Sequence, residues 1–364
     1  MYDFDPKKCL PPNLVIDSVD NHLYRIGLCL TTQHTIKRRK FIYKPIIVFT
    51  ILFTQLIKNI IDLFVRDRNW SIYSGLLFLR LMNMNFHFNI LMIIFIGFSI
   101  SSQIIWFYNY KNDIKPTFLK VFQMMSGFIT PNSIGLTNRD QILALIRRTR
   151  ILFKILIFNT YIVFTIMSLI FCLMPYIIKC TLFEILIFGI PNTLFFTLIV
   201  HYVFNTILFH GIYLYILCYY LKLKFRNIGN ISSKMKTNIK SIIYSIFDIN
   251  SEISEYNQQF WSKYFLTFWL YMGSIISIAL YMALFKSTIL IYKIMLLYAF
   301  TVFSLIFLLQ IFTASSVNYE SNKSYKVLNS LMANNNRYNN TYKQKLNRIS
   351  INNKIKVRII YIHL

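Results

Sequence analysis

The sequence predicts an all-α fold: a polytopic helical bundle in a membrane, with six transmembrane helices and a cytoplasmic N-terminus. Three observations carry that prediction. Of the 364 residues, 56% are hydrophobic and only 14% charged, and the mean hydropathy is +0.50, whereas soluble domains carry about a quarter charged residues. The apolar residues gather into runs long enough to cross about 30 Å of hydrocarbon at about 1.5 Å per helical residue. The 39 Lys and Arg outnumber the 13 Asp and Glu, for a net charge of +26. Because these cations sit between the apolar runs, the charge reads as membrane topology and not as nucleic-acid recognition.

The elements follow in chain order. Residues 1–40 form a polar cytoplasmic segment ending in the basic run Lys37, Arg38, Arg39, Lys40, with no signal peptide visible. The first apolar run spans about 41–65 and carries Lys58 and Asp62 four apart on one face, where the two can pair. The second, about 76–108, is longer than one crossing needs and is most apolar from Phe88 to Phe107. The third and fourth span about 151–176 and 182–221, the fourth again overlong, so these helices are expected to extend beyond the lipid. Residues 222–261 form a cytoplasmic segment in which Ile239, Ile242, Ile243, Ile246 and Ile249 or Ile253 recur at the spacing of one helix face. The fifth and sixth runs span about 262–285 and 288–314, and 315–364 is a polar cytoplasmic tail.

Orientation follows from the cations. Of the 39 Lys and Arg, 32 fall in the N-terminal segment, the connections between helices two and three and between four and five, and the tail. The positive-inside rule places all four in the cytoplasm, and two inside ends agree with an even number of crossings. A G-protein-coupled receptor, with an outside N-terminus and seven helices, is thereby disfavoured. The sequon Asn69-Trp70-Ser71 falls on the outer side. The five cysteines, Cys9, Cys29, Cys172, Cys180 and Cys218, are odd in number and form no CxxC pair. They imply neither a disulfide framework nor a zinc site; Cys172 and Cys180 are either unpaired or joined near one membrane face.

Catalytic signatures are missing. The chain has no GxGxxG, GxxxxGK[ST], HExxH or GxSxG, so the reading is of a protein that is not an enzyme and uses no cofactor and no metal. Ion-coupled transporters bury carboxylates or break helices at mid-membrane. Here the third, fifth and sixth helices have no acid at their centres, the fourth has only Glu184 near its outer end, and Pro191 beside Gly189 is the one comparable break.

The helices do carry aromatic and small polar side chains. His201, Tyr202, Asn205 and His210 lie within ten residues of the fourth helix, with 201, 205 and 208 or 209 on one face. An unpartnered polar atom in hydrocarbon costs on the order of 1–3 kcal/mol, so these groups should point into the bundle. They serve there either as interhelical hydrogen bonds or as the polar anchors of an aromatic-walled pocket for a small molecule. The topology also brings Tyr73, Asn83, His87, Tyr271, Tyr281, Tyr292 and Tyr298 to the outer half, where tyrosines alternatively form an interfacial belt. The candidate ligand-binding residues are His87, His201, Tyr202, Asn205, Tyr271, Tyr281 and Tyr298.

Three segments carry a family resemblance. Cys218–Asn230 reads CYYLKLKFRNIGN, Tyr256–Trp269 reads YNQQFWSKYFLTFW, and Ala314–Met332 reads ASSVNYESNKSYKVLNSLM. With the isoleucine-faced helix between the first two, the arrangement resembles the gustatory and odorant receptor superfamily of arthropods over roughly residues 40–332, in its gustatory-like branch. The resemblance implies a multi-pass plasma-membrane chemosensory receptor subunit with a cytoplasmic N-terminus and seven helices. It further implies a homo- or hetero-tetrameric ligand-gated cation channel, a small-molecule pocket among helices two to six near the outer face, seventh helices lining the pore, and a cytoplasmic bundle where subunits meet.

The C-terminal part departs from that pattern. The gustatory branch carries Thr-Tyr, several apolar residues and then Gln-Phe, but here Lys343 follows Thr341-Tyr342 and Ile311 follows Gln310. The end Lys354–Leu364, KIKVRIIYIHL, is too short and basic to span. The chain as written therefore reads as a truncated gene model or pseudogene product in preference to a functional six-helix protein. The runner-up function is a six-helix transporter or nonconducting membrane scaffold. Solute uptake abolished by changes at Glu184 or at the Lys58 and Asp62 pair would distinguish it.

Overall fold

The computed structural model describes residues 38–65, 85–111, 135–136, 138–177, 182–184, 186–187, 190–234, 239–256, 262–286 and 290–334. Among them all regular structure is helical. The long helices are α1 (Arg38–Phe64), α2 (Asn85–Lys111), α3 (Arg139–Ile177), α4 (Ile190–Lys234), α5 (Ile239–Tyr256), α6 (Ser262–Tyr281) and α7 (Leu290–Asn334). A π-helical turn at Met282–Lys286 extends α6, and a short turn, Leu182–Glu184, precedes α4. The sequon at Asn69, Tyr73 and Asn83, the Cys172 and Cys180 thiols, the Tyr292 and Glu184 side chains and residues beyond Asn334 lie outside the described residues.

Five helices are long and apolar enough to cross a membrane among the described residues, through windows at Pro45–Phe64, Phe86–Ile105, Ile190–Ile228, Thr267–Lys286 and Leu296–Ser330. The remaining apolar run, 151–176, forms the second half of α3, where side chains from 166 onward are outside the described set. At about 1.5 Å per residue, the 45 residues each of α4 and α7 extend roughly 65 Å, about twice the hydrocarbon thickness. Both must project well beyond the lipid. Hydropathy locates the apolar middle of such a helix but not its ends: α3 starts at Arg139, α4 runs on to Lys234, and α7 continues to Asn334 through residues that read as polar tail. Packing holds these extensions, since Leu328 is fully buried and Ser324 Oγ donates to the Phe225 carbonyl of α4 at 2.9 Å.

Helix α4 is the core. Its apolar window is 72% buried, against 28% for that of α1 and 22% for that of α7. From Val203 to Leu214 every residue is buried, which is more than three full turns. A helix apolar on all sides is stable only where neighbours cover every side. Here α7 and α3 make its largest contacts, with α2, α5 and α1 adding smaller ones, while α1 packs on α2, and α6 on α2 and α7. The outer helices turn apolar side chains to lipid instead: α1 exposes Ile46, Ile47, Phe53, Ile57, Ile60 and Phe64. Lys58 Nζ on α1 donates to Asn192 Oδ1 of α4 at 3.1 Å, with Asp62 buried one turn on.

At the opposite end, α5 buries Ile242, Ile243, Ile246 and Ile249 against α4 and α7. Lys224 Nζ meets Glu252 Oε2 at 2.5 Å. The hydroxyls of Tyr220 and Tyr256 both donate to Glu252 Oε1, at 3.1 and 3.0 Å, so each carboxylate oxygen has a partner. Gly135 has a φ of 78° and lies so close to Lys224 that a Cβ there would stand 3.1 Å from Lys224 Cε. A glycine is needed at that turn both for its left-handed backbone and for the clearance.

A second glycine sets the distance between α4 and α7. A Cβ on Gly211 would fall 2.5 Å from Ile306 Cγ2, well inside van der Waals contact, and small residues at such crossings let membrane helices approach closely. Gly211→Ala is expected to lower the stability of the purified protein by about 1–3 kcal/mol through overpacking. Adding Ile306→Ala should restore part of the loss, as read by thermal unfolding in detergent. Equal stability of the single variant and the wild type would show that the two helices are not this close.

Candidate functional site

Thr197, Asn205, Thr206 and His210 of α4 are buried at near-zero exposure, so each needs a partner within the bundle. Asn205, fully buried, accepts a hydrogen bond from Thr160 Oγ1 of α3 at 2.5 Å. Its Nδ2 donates to the His201 carbonyl at 2.7 Å and lies 3.4 Å from His201 Nδ1. One amide therefore ties α3 to α4 and orients the half-buried His201, whose ring meets Tyr202 edge-on at 5.9 Å. His210 Nδ1 donates to the Thr206 carbonyl at 2.5 Å, which fixes its proton on that nitrogen.

An aromatic cluster joins α2, α4 and α6. The ring of Phe98 on α2 is the shared member, edge-on to His210 at 6.0 Å, to Phe268 at 5.7 Å and to Tyr271 at 5.8 Å. Edge-to-face geometry at these separations is favourable beyond area burial. Tyr271 lies against Gly97, where a Cβ would stand 3.3 Å from its hydroxyl oxygen. Further along the α2–α6 interface, His87 packs on Tyr281 at 5.5 Å, and Tyr281 packs on Phe285 at 5.6 Å. The Nδ1 of His87 is buried without a hydrogen-bond partner among the described residues. On α7, Tyr298 donates to Asn159 Oδ1 of α3 at 3.0 Å.

The seven residues singled out from sequence thus occupy three interfaces. His201, Tyr202 and Asn205 belong to the α3–α4 side, His87, Tyr271 and Tyr281 to the α2–α6 side, and Tyr298 to the α3–α7 contact. Sequence reasoning did not single out Thr160, Asn159, Phe98 or Phe268. One of 34 phenylalanines carries no sequence mark separating a ring at a helix junction from a ring facing lipid. Thr160 and Asn159 form an adjacent polar pair in the third apolar run, a signal that could have found them. Among the described residues, no group of three or more His, Cys, Asp and Glu comes together to hold a metal ion.

This geometry defines a class: a helical membrane bundle around one buried helix, with an aromatic and small-polar interior and a water-side bundle built from the long helices. Among solved structures, the chain is similar to the insect olfactory receptor OR5 from Machilis hrabei in complex with eugenol. The TM-score is 0.59 at 14% identity, over 84% of this chain and 80% of that one. A second structure of the same receptor matches with a TM-score of 0.58 at the same identity and coverage. No family model and no curated protein matches. The chain shares the fold of this receptor, in agreement with the all-α membrane bundle read from its sequence. Both solved neighbours are receptors, not enzymes.

Asn205→Ala removes the amide linking α3 to α4 and is expected to destabilise the protein by about 0.6–1.7 kcal/mol, the range for buried interhelical hydrogen bonds in membranes. Tyr281→Phe, at a residue 41% exposed, should change stability by less than about 0.5 kcal/mol. Thermal unfolding of the two variants without ligand checks this, and an unaltered Asn205→Ala midpoint would remove Asn205 from the packing.

Proposed function

We propose that the chain is a chemosensory receptor subunit of the gustatory-like type, acting in the plasma membrane as part of a tetrameric ligand-gated cation channel with its N-terminus in the cytoplasm. The observation that carries this reading is the fold shared, over 84% of the chain, with a receptor solved in complex with eugenol, a small phenol. The basic connections between alternate helices support the orientation.

The ligand is a small molecule held along the α2–α6 interface. Phe98, Phe268 and Tyr271 offer apolar walls, and His87 with Tyr281, or His201 with Asn205, offers the few polar groups that set orientation. His87 Nδ1, buried and unbonded among the described residues, is the polar atom best suited to meet a ligand hydroxyl, because leaving it unmet is costly. Binding opens the channel by favouring one of two states. A differential affinity of about 1.4 kcal/mol shifts that equilibrium tenfold, which a few contacts supply.

The test is electrical. Cells expressing the chain extended by a seventh, pore-lining helix are exposed to a panel of small phenols, alcohols and involatile tastants while cation current is recorded. An evoked current is expected, with the half-maximal concentration raised at least about tenfold by Tyr271→Ala at equal surface expression. The tastants should be the stronger agonists. Absence of current together with absence of ligand-induced thermal stabilisation across the panel would overturn the proposal.

A further inference from the structure

The cations at the start of α3 form a surface that the receptor reading does not use. Arg139, Arg147, Arg148, Arg150 and Lys154 share this stretch with one acid, Asp140. Asp140 lies two turns from Arg147, roughly 10 Å along the axis and beyond ion-pair reach. Among the described residues, none of these cations pairs with a carboxylate. The apolar run of the helix begins at Ile151, so the group sits where the helix enters hydrocarbon.

The helix period decides which way they face. Arg147, Ile151, Lys154, Ile155 and Phe158 follow one stripe at helical spacing. Arg147 and Lys154 are exposed, and Ile151, Ile155 and Phe158 are 50%, 48% and 65% exposed. An exposed apolar stripe on a membrane helix faces acyl chains, so two cations within that stripe, one above and one below Ile151, reach for the headgroup layer from a lipid-facing surface. Arg148 is fixed beside them. Its Nη1 donates to Tyr215 Oη of α4 at 3.2 Å, and its guanidinium carbon lies 4.3 Å over the Tyr219 ring. The two tyrosines are themselves stacked, with ring centroids 6.3 Å apart. One of five guanidinium N–H donors is thereby used, and the others remain on an exposed, immobilised plane.

We propose that this end of α3, with Arg148 braced on α4, is a binding site for the headgroup of an anionic phospholipid in the leaflet on the basic side of the membrane. Arg147 and Lys154 supply charge, Arg148 supplies preorganised donors to phosphate, and Ile151, Ile155 and Phe158 lie along the acyl chains. A phospholipid fits better than a free anion because the cations alternate with lipid-facing apolar side chains on one stripe. The inference is independent of whether the protein conducts.

The test uses the purified full chain equilibrated with mixed phosphatidylcholine and phosphatidylserine micelles, with retained lipids counted by native mass spectrometry. Wild type is expected to retain phosphatidylserine with at least about fivefold preference. Arg147→Gln combined with Lys154→Gln should bring that preference close to one, while Lys323→Gln with Lys326→Gln, at exposed positions of α7, should keep it. Arg148→Lys should retain the charge yet lose part of the preference. Unchanged melting of each variant in phosphatidylcholine alone shows that the fold is intact. No preference in wild type, an equal preference in the Arg147 and Lys154 variant, or displacement by excess inorganic phosphate would overturn the proposal.

Discussion

The architecture depends on the complete enclosure of α4. A helix surrounded by other helices has no face to give to water or to lipid, so its side chains must be apolar all round and its few polar groups must be satisfied within the bundle. The stretch Val203–Leu214 meets that demand on every side. Its neighbours are then free to be one-sided, burying a stripe against α4 or against one another and exposing the rest to acyl chains. Gly211 completes the arrangement, since any larger residue would hold α7 away at Ile306.

The same constraint sorts the polar chemistry by depth. In the apolar part of the bundle many of the bonds are neutral, such as Thr160 to Asn205 and Tyr298 to Asn159, beside the Lys58 bond to Asn192. The buried ion pair of Lys224 and Glu252 instead lies toward the end where α5 joins α4 and α7. Burying two opposite charges is roughly balanced between desolvation and attraction, and only full satisfaction of both makes it tolerable. Tyr220 and Tyr256 supply that satisfaction on Glu252, and Gly135 covers the stem of Lys224. The four side chains and the turn therefore hold α4, α5 and the approach to α3 in one register, and removing either charge alone would leave the other stranded.

Much of this was legible in the residues. The apolar runs and the isoleucine face of α5 point to the all-helical membrane bundle, the first by a length that lipid imposes and the second by the helix period. Helix ends were less legible, because α3, α4 and α7 continue past the lipid on packing that composition does not report. The site was least legible. His201 and Asn205 stand out as polar residues on an apolar helix, but nothing in the sequence pairs Asn205 with Thr160 or marks Phe98 as the ring shared by three helices. Contacts between distant segments depend on rotation and crossing angle, and one chain carries no direct record of either. The fold is shared with a receptor of 14% identity.

The enclosure of α4 is the claim from which the rest follows, and cysteine accessibility in native membranes tests it most directly. Single cysteines placed along 203–214 on a background with all five native cysteines changed to Ser would be challenged with a lipid-soluble thiol reagent, beside reference cysteines at Ile46, Phe53 and Phe64 of α1. Uniform protection along α4 with labelling at the three α1 positions is the result expected. Labelling that recurs every three to four residues along α4 would mean that one of its faces meets lipid, and the arrangement of helices described above would be wrong.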